Sequence, residues 1–89
     1  MQKTKTIPRF NGIQTIHRFD NGYGASVIEH SFSRGREMAV VKFIGPDIED
    51  FVLCYDTPIT NDVLGHLSTV DVDRYLADIA ALSSLLSSV

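Results

Sequence analysis

The chain has no tryptophan, a single cysteine and only three prolines in 89 residues. The lone Cys54 rules out an internal disulfide and leaves no Cys-x-x-Cys knuckle for a metal. No apolar run approaches the ~20 residues that a membrane-spanning helix needs, so no membrane partner is expected. The opening MQKTKTIPRFNG carries charge with no apolar core behind it, so no secretory leader is expected and a reducing cytoplasm is the expected compartment. The three histidines, His17, His30 and His66, show neither His-x-His nor His-Glu-x-x-His spacing, so no local metal pair is present and no cofactor is expected.

What is present is the composition of a small globular domain. Hydrophobic residues make up 44% of the chain, and a chain of this length buries roughly 60–65% of its unfolded surface, enough for one core. The net charge of −3 conceals a split. Residues 1–42 hold seven basic against three acidic side chains, whereas residues 43–89 hold Arg74 against eight acids, so the halves carry +4 and −7. A basic half can serve an anionic partner, but seven cations spread over 42 positions form no dense cluster. Nucleic-acid binding through the N-terminal half is therefore the alternative reading, disfavoured by the acidic total and the lack of a nucleic-acid motif.

Residues 1–12 read as an extended N-terminal arm, because Ile7-Pro8 disfavours helix and Asn11-Gly12 signals a turn. Residues 13–89 then form a single α+β domain. Alternating apolar positions predict strands over Ile13–Phe19, Gly24–Phe32, Met38–Ile44 and Phe51–Tyr55, joined by short connections that argue for an antiparallel meander. In the third strand Ala39, Val41 and Phe43 share one face, and Val40 and Lys42 the other. Thr60-Asn61-Asp62 predicts a short helix over Asn61–Leu67. Ser68 or Thr69 predicts the cap of a longer one, whose apolar stripe is Val72, Tyr75, Leu76, Ile79, Leu82 and Leu86. The expected fold is a four-stranded antiparallel β-meander followed by two C-terminal helices packed on one face.

The stretch RFDNGYGASVIEHSF places Gly22 and Gly24 two apart in front of an apolar run. A phosphate-cradling loop needs a third glycine and a following helix. Ala25, Ser26, Val27 and Ile28 are β-prone instead, so a hairpin turn is predicted, with Asn21 and Gly22 both at positive φ. Centred there, the turn pairs Asp20 with Tyr23, sets His17 opposite Ser26 and sets His30 opposite Ile13. The two histidines then share no site. Cys54, between Leu53 and Tyr55 in an apolar strand, reads as a buried, inert thiol rather than a nucleophile. Glu49-Asp50 and Asp71/Asp73 read as turn and helix-cap carboxylates. No catalytic constellation emerges, and no enzymatic activity is expected.

The segments FDNGYGASVIEH, REMAVVKF and LCYDTPITNDVLGHL together resemble small uncharacterised proteins of tailed bacteriophages and prophages, over roughly residues 17–82. The resemblance implies a phage or prophage origin, expression inside the bacterial host cell and no catalytic residues. The expected role is a non-enzymatic protein-binding module acting on a host protein or on a second copy of itself as a homodimer. A four-stranded sheet with one long helix leaves apolar surface uncovered, to be met by a partner or by the N-terminal arm folding back over the sheet and burying Phe10. The expected interface comprises Phe10, Arg18, Phe32, Arg34 and Arg36.

Overall fold

The computed structural model describes residues 3–9, 12–30, 36–55, 57, 59 and 64–82. Within them the chain runs β1 (Lys3–Arg9), β2 (Gly12–Arg18), β3 (Tyr23–His30), β4 (Arg36–Phe43), β5 (Phe51–Leu53), β6 (Leu64–Leu67) and α1 (Thr69–Ala80). All six strands belong to one antiparallel sheet, ordered β1-β2-β3-β4-β5, with β6 also on β4. The α+β character and the single sheet agree with expectation. Among the described residues there are six strands rather than four, and one helix rather than two.

The additional strands have separate causes. The expected arm is β1, paired with β2 along its whole length from Lys3 opposite Arg18 to Arg9 opposite Gly12. Its Thr4, Thr6 and Ile7 suit a strand, and Pro8 is tolerated because β1 is an edge. The expected helix over Asn61–Leu67 is corrected by β6. β5 covers β4 only from Phe43 back to Val41, and the Cys54 amide extends this to the Val40 carbonyl at 2.8 Å. The remaining edge of β4 is taken by Leu64 opposite Met38 and Leu67 opposite Arg36. Three steps on β6 span two on β4, and His66 absorbs the irregularity at φ 57°. Long-range pairing thus overrides a weak local cap signal weakened further by Gly65. Residues Asn61–Val63, which carried most of that signal, lie outside the described residues.

The β2–β3 loop is one residue longer than predicted. The Phe19 amide donates to the Tyr23 carbonyl at 3.0 Å and the Gly22 amide to the Phe19 carbonyl at 3.3 Å. Gly22 has φ 88°, and Asn21 does not share the positive φ. This is a type I turn followed by a left-handed residue, the common three-residue hairpin loop. The register shifts accordingly: His17 stands opposite Ala25 and His30 opposite Gly12.

That shift decides which side chains share a face. One face carries His17, Ala25 and Val40 in one row and Thr15, Val27 and Met38 in the next. Helix α1 packs here, with Val72 and Ile79 meeting Phe19, Ala25, Val27, Met38, Val40, Cys54 and Leu67. Ser68 caps the helix: its hydroxyl accepts from the Asp71 amide at 3.1 Å while the Asp71 carboxylate accepts from the Ser68 amide at 3.1 Å. These reciprocal bonds satisfy two of the otherwise orphaned donors at the helix start. They also hold the Asp71 carboxyl below its usual range. Of the predicted stripe, Val72 and Ile79 are buried and Tyr75, Leu76 and Leu82 flank the core. Leu86 lies outside the described residues.

The second face holds Ile16, Ala39 and Val41, all buried although α1 lies on the other side. Curling of the sheet accounts for this. In a flat sheet the β1 and β5 positions would stand four spacings, about 19 Å, apart. Yet the Lys5 ammonium lies 3.0 Å from the Glu49 carboxylate, two residues before β5. Arg18 on β2 likewise reaches the carbonyls of Gly45 and Asp47. The β4–β5 connection therefore folds over the second face and shields it.

Candidate functional site

Of the five residues expected at an interface, Phe10, Phe32 and Arg34 lie outside the described residues. The other two are not brought together. Arg36 sits on the helix face beside its cross-strand neighbour Glu29, at 3.4 Å. Arg18 sits on the second face, at the opposite end of the strands.

Arg18 is held on three sides. Its Nη1 donates to the Gly45 carbonyl at 2.9 Å and the Asp47 carbonyl at 3.2 Å. Its guanidinium carbon lies 4.6 Å from the centroid of the Phe43 ring. That ring meets Phe51 edge-on at 5.9 Å. Gly24 makes this stack possible: a Cβ there would stand 2.7 Å from Phe43 Cε2 and 1.9 Å from the His17 carbonyl oxygen. The two glycines of the RFDNGYGASVIEHSF stretch thus have different tasks, Gly22 supplying a backbone conformation and Gly24 supplying clearance.

Between β1 and the β4–β5 connection runs a groove of about 720 Å³ lined by Lys3, Thr4, Lys5, Arg18, Pro46, Asp47 and Ile48. Lys3 and Lys5 went unnoticed in the sequence as site residues. Their shared parity in β1 carried the signal, but only once that segment is known to be a strand paired with Arg18 in register.

A second feature is the exposed edge formed by β5. Val52 and Leu53 are exposed, as are Tyr55 just after the strand and Ile44 just after β4. Among the described residues β5 pairs only with β4. The opposite edge differs: β1 presents Lys3, Lys5, Pro8 and Arg9, side chains that discourage strand addition.

Two further candidate groups of the sequence, His17 and Cys54, lie on the helix face and in its core. His17 is half-buried on the helix face, facing Asp73; burial lowers its pKa from the ordinary 6.5 and the Asp73 charge partly opposes the shift. Cys54 is buried in the core, as expected. Among the described residues no group of three or more His, Cys, Asp or Glu side chains could hold a metal. No helix among them is long and apolar enough to cross a membrane. Comparison with family models, curated protein sequences and solved structures finds no match for this chain.

Proposed function

We propose that the protein is a small non-enzymatic protein-binding module, acting on a host protein in a phage-infected or prophage-bearing bacterial cell. The observation that carries this reading is the asymmetry of the two sheet edges. β1 is defended by lysines, an arginine and a proline, whereas β5 carries exposed Val52 and Leu53, with exposed Tyr55 just beyond it. An extended segment of a partner adding to β5 would satisfy its outer backbone groups and cover these side chains.

Nucleic-acid binding is less well supported. Lys5 is paired with Glu49, Arg9 bonds the Gln14 side chain at 2.8 Å, and Arg18 gives its Nη1 to two backbone carbonyls while keeping its Nε/Nη2 edge. Asp47 lines the same groove. A phosphate backbone would have to compete with these contacts.

The test is capture from bacterial lysate with immobilised protein, comparing wild type with Val52→Lys/Leu53→Lys. A captured protein lost in the double variant, with the variant's fold intact by circular dichroism, supports the reading. Equal capture by both refutes the β5 edge as the surface. Light scattering on the free protein separates a host partner from self-association, since a dimer abolished by the same substitutions identifies the partner as a second copy.

A further inference from the structure

The groove beside β1 contains an arrangement that internal packing does not account for. Lys3 stands directly opposite Arg18 on the antiparallel β1–β2 pair, so the two cations share a face. Like charges directly opposite are unfavourable. Lys5 follows on the same parity and is satisfied by Glu49. Lys3 has no hydrogen-bond or ion-pair partner among the described residues.

The guanidinium of Arg18 is oriented in advance. Two carbonyls take Nη1, and the guanidinium carbon lies over the Phe43 ring. A guanidinium has five N–H donors in a fixed fork. Nε and Nη2 of Arg18 donate to no group among the described residues. That side-on edge is the one that receives two oxygens of a carboxylate or phosphate at once. The groove also has an apolar part, Pro46 and Ile48.

We propose that this groove binds a carboxylate carried on an apolar chain, with the oxyanion on the Nε/Nη2 edge of Arg18 and beside the Lys3 ammonium, and the chain along Pro46 and Ile48. The charge balance favours a monoanion over a phosphate dianion. Asp47 lines the groove, Glu49 is engaged with Lys5, and the Asp50 carboxylate accepts from the Asp47 amide at 3.3 Å. These three carboxylates balance Lys3, Lys5 and Arg18, so no surplus charge is left to hold a second negative charge. The carboxylate can belong to a free short-chain acid or to the C-terminus of a peptide; the chemistry is the same. This inference is independent of the β5 edge, which can fail without affecting it.

The test is an amide chemical-shift titration of the full chain with hexanoate, with hexanol, and with the peptide acetyl-Ala-Leu-Val as free acid and as amide. The expected result is saturable shifts at Lys3, Lys5, Arg18, Gly45, Asp47 and Ile48 with a carboxylate ligand and none with hexanol or the peptide amide. Saturation by hexanoate alone assigns a small acid, by the free-acid peptide alone a chain terminus, and by both a site that reads only the shared group. Arg18→Lys keeps the charge but loses the fork, and weakens binding at least about tenfold. Because Arg18 also anchors the β4–β5 connection, Lys3→Gln is the independent variant: Lys3 is exposed and its replacement leaves the fold intact while weakening binding several-fold. Absence of saturable shifts with both acids overturns the proposal. So does equal binding of acid and amide, or full affinity in folded Lys3→Gln.

Discussion

The side-chain amide of Asn21, in the β2–β3 loop, donates to the carbonyl of Ile79 at the end of α1 at 2.8 Å. It also reaches the carbonyls of Ala80 at 3.3 Å and Leu82 at 3.1 Å, while its Oδ1 accepts from the Tyr23 amide at 3.0 Å. The last carbonyls of a helix have no partner within it. Here a loop 58 residues away in sequence supplies one, so a single buried asparagine both shapes the hairpin loop and ties it to the helix.

Asn21→Ala removes the donor and leaves these carbonyls in a buried site. The expected loss is about 1–3 kcal/mol, read as a lower urea midpoint, with faster amide exchange concentrated over Ala77–Leu82. Asn21→Asp should be worse than Ala, because a carboxylate would then face the negative end of the helix. Unchanged exchange in the last turn of α1 would show that the contact does not hold it.

The two motif glycines should respond differently from a third. Gly22→Val forces a β-branched residue to φ 88° and should destabilise by more than about 1 kcal/mol. Gly24→Ala drives a Cβ onto the His17 carbonyl and the Phe43 ring, with a loss of about 1–3 kcal/mol and disturbance of the Arg18 stack, visible in the Phe43 ring resonances. Gly65→Ala meets nothing within 4 Å and should stay within about 0.5 kcal/mol of wild type. Thermal melts of the three variants check the order.

Ile79 is fully buried and joins the helix to the sheet core. Ile79→Ala should cost about 2–4 kcal/mol, a large part of the roughly 5–9 kcal/mol expected for a domain of this length. Val70, on the same helix, is 75% exposed, and Val70→Ala should fall within about 0.5 kcal/mol of wild type. Equal effects at the two positions in denaturant unfolding would contradict the face on which α1 packs.

Acidification should weaken the fold through His17. Its folded pKa lies below the ordinary 6.5 because burial penalises the imidazolium, so the unfolded chain takes up a proton first. The contribution is complete above pH 6.5 and falls away as the pH drops from there toward the lower folded value. His17→Gln should flatten this part of the stability profile. Asp73→Asn should extend it to lower pH, since the Asp73 charge opposes the shift. Urea midpoints measured across this window for the three proteins give the comparison.

Where a signal is local, the sequence carried it. Alternation in REMAVVKF sorted Ala39, Val41 and Phe43 from Val40 and Lys42, and the sheet places them on opposite faces. Helical spacing singled out Val72 and Ile79, and Ser68 with Asp71 marks the helix start. Asn21-Gly22 identified a turn, because left-handed backbone favours glycine. The loop length did not follow, since a two-residue and a three-residue turn differ mainly in what Asn21 does. It bonds to a helix end that only the tertiary fold brings near.

The same limit applies to β1 and β6. β1 has some β-prone residues in Thr4, Thr6 and Ile7 and β6 has few, but each becomes a strand because an edge of the sheet is open beside it, at β2 for Lys3–Arg9 and at β4 for Leu64–Leu67. For β6 the backbone partners lie 26 to 31 positions away, and for β1 they lie 3 to 15 positions away across a hairpin; propensity of the segment alone encodes neither pairing. The groove inherits that dependence. Lys3 and Arg18, 15 positions apart, share a face only because β1 pairs in this register, and the groove has a second wall only because the sheet curls until Lys5 meets Glu49.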